Sequence, residues 1–372
     1  MINLIEPTDL SLQQLNEILN LALDIIGNRE KYSEACKGKK LATLFYEPST
    51  RTRLSFTAAM MELGGNVLGF SDANNSSVSK GETVADTTKV ISCFADIIAM
   101  RHYEEGAALV AAMNSRVPVI NAGDGSHAHP TQTLTDLLTI KREIGRFDHI
   151  TIGFCGDLKF GRTVHSLIKA LSRYEGVRVI LIAPEQLRLP DYMKQDVCDR
   201  LGVPYVEVET MEEVMPELDV LYMTRVQKER FLDEDEYDLV KDSFILTPEK
   251  ISTAKPEMRI LHPLPRVNEI TVEVDADPRA AYFRQVENGK FVRMALMLKL
   301  LEWARCEEMP LAGEPACPRE QLIPEGTVEN VYTCRNRRCI SNMENVPTLF
   351  HPVHDRPGTY RCLYCESKPL KE

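Results

Sequence analysis

The stretch LATLFYEPSTRTRLSFTAAMMELGG, residues 41–65, decides the fold class. Its first six residues, LATLFY, form a short apolar run of strand length. After Glu47 and Pro48 the pattern changes to a helix in which Leu54, Phe56, Met60 and Leu63 share roughly one face, closed by Gly64 and Gly65. A buried strand running through a turn into an amphipathic helix is one unit of an α/β fold. Downstream the unit recurs: NVLGF, DIIAMR and VPVINAG read as strands, and ETVADTTKVISCF and EEGAALVAAMNS as helices between them. A helical connector, PTQTLTDLLTIKREIG (130–145), leads to a second series with strands HITIGFCG, VRVILIAP, VPYVEVE, DVLYMT and MRILHPLP. The segment AYFRQVENGKFVRMALMLKLLEWA reads as a long closing helix. The expected architecture is two doubly wound parallel-sheet domains, 1–133 with 285–305 and 134–284.

Composition agrees with this organisation. The 372 residues carry 44 Lys+Arg against 55 Asp+Glu, a net charge of -11, with 44% hydrophobic and 27% charged residues. That is an ordinary globular balance for a chain long enough for two or three domains. The acidic excess, with no run of basic residues, argues against a nucleic-acid or anionic-membrane surface. No stretch reaches the ~18 apolar residues of a membrane helix, and Glu6 and Asp9 stand where a signal peptide carries positive charge, so a cytoplasmic protein is expected.

The turn inside the opening stretch, PSTRTR (Pro48–Arg53), places three hydroxyls and two guanidinium groups at a helix start, where free N–H groups already favour an anion. Alone it also reads as a Ser/Thr cap followed by surface arginines. NNSSVSKGET (74–83) reads alone as a solvated polar turn. Arg101 ends the strand DIIAM, the usual end for a ligand in such sheets, and His129 opens a helix with Pro130 and Gln132. Gly153, Gly156 and Gly161 do not have dinucleotide-binding spacing, which disfavours a nicotinamide site and leaves no organic cofactor expected.

Taken in order, FYEPSTRTRLSF, SKGET, MRH, HPTQ, GDLKFGRT, TRVQKER and HPLPR make residues 1–305 resemble the catalytic chains of the aspartate and ornithine carbamoyltransferases. The resemblance implies that Ser49, Thr50, Arg51, Thr52 and Arg101 hold carbamoyl phosphate, together with Ser76 and Lys80 from a neighbouring subunit. It implies that His129 and Gln132 meet the carbamoyl group, and that Arg51, Thr52, His129 and Lys80 carry the catalysis. Arg162 would hold an α-carboxylate, Arg225 and Gln227 a side-chain carboxylate, and the carbonyls of Pro263 and Leu264 an α-amino group. Ornithine-specific relatives carry Cys where this chain has Pro263, together with an S-M-G segment absent here, so the resemblance points to L-aspartate. It further implies N-carbamoyl-L-aspartate and phosphate as products, an early committed step of pyrimidine biosynthesis, and a homotrimer with shared active sites, higher assembly being left open. The Leu264–Pro265 bond is a candidate cis peptide. An acceptor such as ornithine, or an inactive scaffold built on the tail, remain the alternatives.

Past Arg305 the texture changes. CEEMPLAGEPACPREQLIPEG holds four Pro and two Gly and reads as a linker over 306–321. Cys334, Cys339, Cys362 and Cys365 then follow the pattern C-x4-C-x22-C-x2-C, the spacing of a structural zinc site, one per chain, in a small β-rich domain over 322–372. Cys306 and Cys317 read as free thiols, and His351 and His354 as spare ligands. LIPEGTVENVYTCRNRRCISNMENV and YRCLYCE resemble the zinc domain of the aspartate carbamoyltransferase regulatory chain. There it follows a nucleotide-binding domain, for which the linker is far too short, so ATP and CTP are expected to leave activity unchanged. Whether the tail docks on its own chain or on a neighbour stays open.

Overall fold

The computed structural model describes residues 3–72, 77–226, 237, 240, 244–304, 310–353 and 356–370. Ser76, Gln227, Cys306 and His354 lie outside them. The chain divides into two compact units, residues 1–131 with 290–372 and residues 132–289.

In the first unit, helix α1 (Leu12–Gly27) opens with a capping box: the Ser11 hydroxyl accepts from the Gln14 N–H, and the Gln14 side chain accepts from the Ser11 N–H. After the short α2 (Arg29–Tyr32) come β1 (Lys40–Phe45), α3 (Thr50–Glu62), β2 (Asn66–Phe70), α4 (Val84–Ile91), β3 (Ile97–His102), α5 (Ala107–Asn114) and β4 (Val119–Asp124). The sheet order is β2-β1-β3-β4, all parallel. Every residue of β4, and all of β1 beyond Lys40, is buried. Helices cover both faces of such a sheet, so its strands are apolar throughout rather than alternating.

One detail of the opening stretch differs from expectation. α3 buries Phe56, Ala59, Met60 and Leu63, whereas Leu54 is 57% exposed. Leu54 precedes Phe56 by two residues, about 200° around a 3.6-residue helix, and so faces away.

Helix α6 (Pro130–Glu143) leads to β5 (Thr151–Cys155), α7 (Arg162–Leu171), β6 (Arg178–Ile182), β7 (Tyr205–Val208), β8 (Val220–Met223) and β9 (Arg259–Leu261). The second sheet has the order β7-β6-β5-β8-β9, again parallel, and packs a core including Ile182, Leu221, Met223, Leu246 and Ile260. The helix Tyr282–Trp303 follows. Among the described residues no helix is long and apolar enough to cross a membrane.

The tail belongs to the first unit. Strands β10 (Val328–Glu329), β11 (Leu349–Pro352) and β12 (Tyr360–Cys362) form a small antiparallel sheet. Its Ile340, Phe350 and Tyr364 share one apolar core with Ala107, Ala108 and Ala111 of α5, so the tail docks in cis. The small side chains on α5 let the two parts approach closely. Gly106, at φ +87°, sits against Tyr364: a Cβ there would come within 2.4 Å of the Tyr364 Cβ. The Pro-rich linker holds one turn of helix, Arg319–Leu322, directly after Pro318. Proline is tolerated there because the first N–H groups of a helix have no partner within it. Cys317 is buried nearby, apart from the other tail cysteines.

Candidate active site and metal centre

In the first sheet the order in which strands are added reverses between the parallel neighbours β1 and β3, the kind of point at which segments leaving the carboxyl ends diverge to form a ligand crevice. PSTRTR leaves β1 at that point, and Arg101 lies in β3, paired in register with Phe45. The Tyr46 N–H donates to the Arg101 carbonyl at 2.8 Å, and the Arg101 guanidinium meets Glu47 at 2.7 Å. Ser49 is the N-cap of α3, yet its hydroxyl makes no cap hydrogen bond. The simple capping reading of PSTRTR therefore fails: the hydroxyl is not spent on the N–H groups it precedes. Arg51 is exposed, and Thr50 and Thr52 flank it on the first turn.

His129 follows β4, also at this edge. It is buried, with Nδ1 3.4 Å from the Thr131 hydroxyl. Two residues earlier stands His127, which sequence reading passed over. It is flanked by Glu6 at 2.9 Å and Asp124 at 3.0 Å. Burial lowers its pKa, but the two carboxylates outweigh that and hold it well above the usual histidine value. An imidazolium thus pins the loop that carries His129. Lys80 ends a 3-10 turn, Ser77–Lys80, past β2, and is exposed.

The second unit repeats the logic. Its reversal falls between β5 and β8, and Arg162 opens α7 beyond β5 while Arg225 follows β8. The two strand ends are stitched together: the Asp157 N–H donates to the Thr224 hydroxyl at 2.8 Å, and that hydroxyl donates to the Cys155 carbonyl at 3.0 Å. Gly156, at φ +113°, allows this, since a Cβ there would lie 2.4 Å from the Thr224 carbonyl oxygen. Gln132 donates to Asp136 at 2.7 Å, and Asp136 also receives Gln285 at 2.6 Å and the Tyr222 hydroxyl at 3.0 Å.

Beyond β9, the Leu264–Pro265 bond is cis, as expected, and Leu264 has φ +55°. A buried network that sequence reading missed shapes this turn. The Leu264 N–H donates to His262 Nδ1 at 2.7 Å, and His262 Nε2 faces Glu269 at 2.8 Å. Burial pushes the His262 imidazole below its usual value. Burial would raise Glu269, but the His262 hydrogen bond and the Val267 N–H outweigh it and keep the carboxyl low. The pair is therefore a neutral imidazole with Nε2 protonated, donating to a carboxylate. It locks the backbone at Pro263 and Leu264. The only signal for it in the sequence is the His of HPLPR.

In the tail, the Sγ atoms of Cys334, Cys339, Cys362 and Cys365 lie within 4.8 Å of one another, with Cys334 and Cys365 3.4 Å apart and Cys339 and Cys362 3.7 Å apart. Thiolates ~2.3 Å from a tetrahedral ion stand about 3.8 Å apart, so the cluster fits a metal of that kind. Crowding by Cys334, Cys339 and Cys365 pushes the Cys362 thiol up, which a bound cation would reverse. The Asn336 N–H approaches the Cys334 sulfur at 3.4 Å and the Ser341 hydroxyl lies 3.2 Å from the Cys339 sulfur, the outer contacts that such ligands carry. His351 instead faces Glu366 at 3.3 Å.

Residues 3–142 match the family model of the aspartate/ornithine carbamoyltransferase carbamoyl-P binding domain, and residues 148–300 that of the Asp/Orn binding domain. The aspartate carbamoyltransferase catalytic subunit of Lachnoclostridium phytofermentans is 64% identical over 299 residues, 80% of this chain and 97% of its own. The chain belongs to the aspartate carbamoyltransferases. That of Clostridium acetobutylicum is 61% identical over the same coverage. Among solved aspartate carbamoyltransferases, the M. jannaschii catalytic subunit superposes with a TM-score of 0.76 at 49% identity, over 81% of this chain and 98% of that one. The Trypanosoma cruzi enzyme, solved with carbamoyl phosphate and aspartate, gives 0.75 at 39% identity over 80% and 95%. Residues 326–372 match the metal binding domain of the aspartate carbamoyltransferase regulatory chain. In this member of the family, that domain is joined to the catalytic domains in a single chain.

Proposed function

We propose that the residues gathered at the two strand-reversal points carry out carbamoyl transfer from carbamoyl phosphate to L-aspartate. Ser49, Thr50, Arg51, Thr52 and Arg101 bind the phosphate, with Ser76 and Lys80 supplied by a neighbouring subunit in a trimer. Arg162 holds the α-carboxylate of aspartate, Arg225 and Gln227 its side-chain carboxylate, and the Pro263 and Leu264 carbonyls its amino group. The uncharged amine attacks the carbonyl carbon. As the C–N bond forms, charge develops on the carbonyl oxygen, where Arg51, Thr52 and His129 stabilise it, with Gln132 meeting the carbamoyl amide. The C–O bond to phosphate then breaks, and phosphate leaves with the amine proton. Holding both reactants supplies the rest of the acceleration.

The observation that carries this reading is the first turn of α3, where Ser49 leaves its hydroxyl uncommitted to capping, beside the β3 strand that carries Arg101. Arg51→Ala is expected to lower turnover at least ~100-fold, the scale for one lost oxyanion donor. Turnover near wild type in a folded variant overturns the assignment.

The four cysteines bind one structural zinc ion per chain, which holds the tail on α5. We place the enzyme in the cytoplasm, a reducing compartment in which closely spaced cysteine pairs hold metal rather than form disulfides.

A further inference from the structure

The metal-binding domain touches the catalytic part of its own chain at a place with a direct route to chemistry. Both carboxylate oxygens of Glu344 accept the Val84 N–H, at 2.9 and 3.1 Å. Val84 is the first residue of α4, whose first-turn N–H groups have no partner within the helix. The Thr83 hydroxyl satisfies the Asp86 N–H at 3.1 Å, and Glu344 satisfies that of Val84, which Thr83 does not reach. A carboxylate there also complements the positive end of the helix.

Immediately before α4 lies the turn that ends in Lys80. Hydrogen bonds tie that turn to the helix: Gly81 N–H to the Val78 carbonyl at 2.9 Å, Glu82 N–H to the Ser77 carbonyl at 3.4 Å, and the Thr87 hydroxyl to the Glu82 carboxylate at 2.8 Å. Val78 packs on the core that also contains Cys339, Ile340 and Tyr364. On the other side, Glu344 ends a short rigid path from the metal. The ligand Cys339 is the N-cap of the helix Ile340–Met343, and the Glu344 N–H donates back to the Ile340 carbonyl at 2.9 Å.

We infer that Glu344 is a positioning residue for the Lys80 turn, through which the metal-binding domain sets the affinity for carbamoyl phosphate. The inference rests on the assignment of Lys80 to phosphate. Glu344 touches no substrate; it fixes the entry of α4, and α4 fixes the direction in which Lys80 leaves. A flexible lysine depends on such anchoring because its own side chain is a mobile point charge.

The test uses the full zinc-loaded chain. Glu344→Ala is expected to raise the KM for carbamoyl phosphate about five- to tenfold, the factor that a lost helix-cap acceptor corresponds to. The KM for aspartate and the bound zinc should be unchanged, and kcat should stay within about twofold. Glu344→Gln retains a neutral acceptor of the same size, is expected to fall between the two, and carries the test if the alanine variant loses metal. Lys80→Ala should raise the same KM, and adding Glu344→Ala to it should then have little further effect, because both act through one turn. If Lys80→Ala raises this KM while neither Glu344 variant does, the inference is overturned and the assignment of Lys80 survives. If Lys80→Ala leaves the KM unchanged, both fall together. Equal rises in both substrates' KM values, or fully additive effects, would make Glu344 a general stability residue and overturn the inference.

Discussion

Replacing Gly106 by alanine tests how the tail docks. Two costs arise at this position. The backbone stands at φ +87°, which an L side chain adopts at a cost of about 1 kcal/mol. The added methyl would also lie 2.4 Å from the Tyr364 Cβ and 2.8 Å from its Cα. Those atoms belong to or adjoin backbone and cannot rotate away, so the tail must shift, at the ~1–3 kcal/mol typical of overpacking. Gly38 separates the two terms: it has φ +80° and nothing within 4 Å, so its alanine variant bears the backbone cost alone. With roughly 2–4 °C per kcal/mol for a unit of this size, Gly106→Ala should melt about 2–12 °C below Gly38→Ala. Thermal unfolding followed by circular dichroism measures the gap. Reaction of the tail cysteines with a thiol reagent gives a second reading, faster in Gly106→Ala only. If the two variants melt together and their thiols react alike, Tyr364 does not press on Gly106 and the docking described here is wrong.

Other outcomes follow from the same structure. Stripping the metal with a chelator should lower the melting temperature by the equivalent of at least ~4 kcal/mol, the linkage expected for a ligand held at a thousandfold over its Kd; an unchanged melt and assembly size would refute a structural role. Glu104 is buried near Glu344, and burial first, then that charge, pushes its carboxyl up to about 7. The folded state therefore holds a proton that the unfolded state releases near 4.5, and stability from this group is lost as pH rises from about 4.5 to 7. Discounted for water still reaching it, the loss is about 1–2 kcal/mol, and Glu104→Gln should gain on wild type by that amount between pH 5 and 8. A difference in melting temperature that is the same at both pH values would contradict this.

Much of the enzyme is legible in one dimension because its local signals agree with its fold. Apolar runs such as LATLFY and DVLYMT become strands buried on both faces, and the strand-helix alternation dictates parallel sheets. The cysteine spacing is a short-range pattern tied to chemistry and could be read directly, whereas PSTRTR and the arginines at strand ends drew their expected roles from the resemblance to a known family. What could not be read is set by partners distant in sequence. Ser49 looks like a cap in the sequence and is not used as one. His262 looks like one more polar residue until Glu269 and Leu264 close around it, and His127 is silent until Glu6 arrives from the amino terminus.

The sequence by itself determined the sheet type and which four cysteines cluster, because each depends on residue identity at close spacing, and its ordered motifs pointed to the reaction class through their resemblance to a known family. Only the tertiary structure decided that the tail folds back on its own α5, that Gly106 faces Tyr364, and that Glu344 caps the helix after Lys80, 260 residues away along the chain. Such contacts depend on which surfaces bury each other, and burial is a property of the packed chain rather than of any one segment.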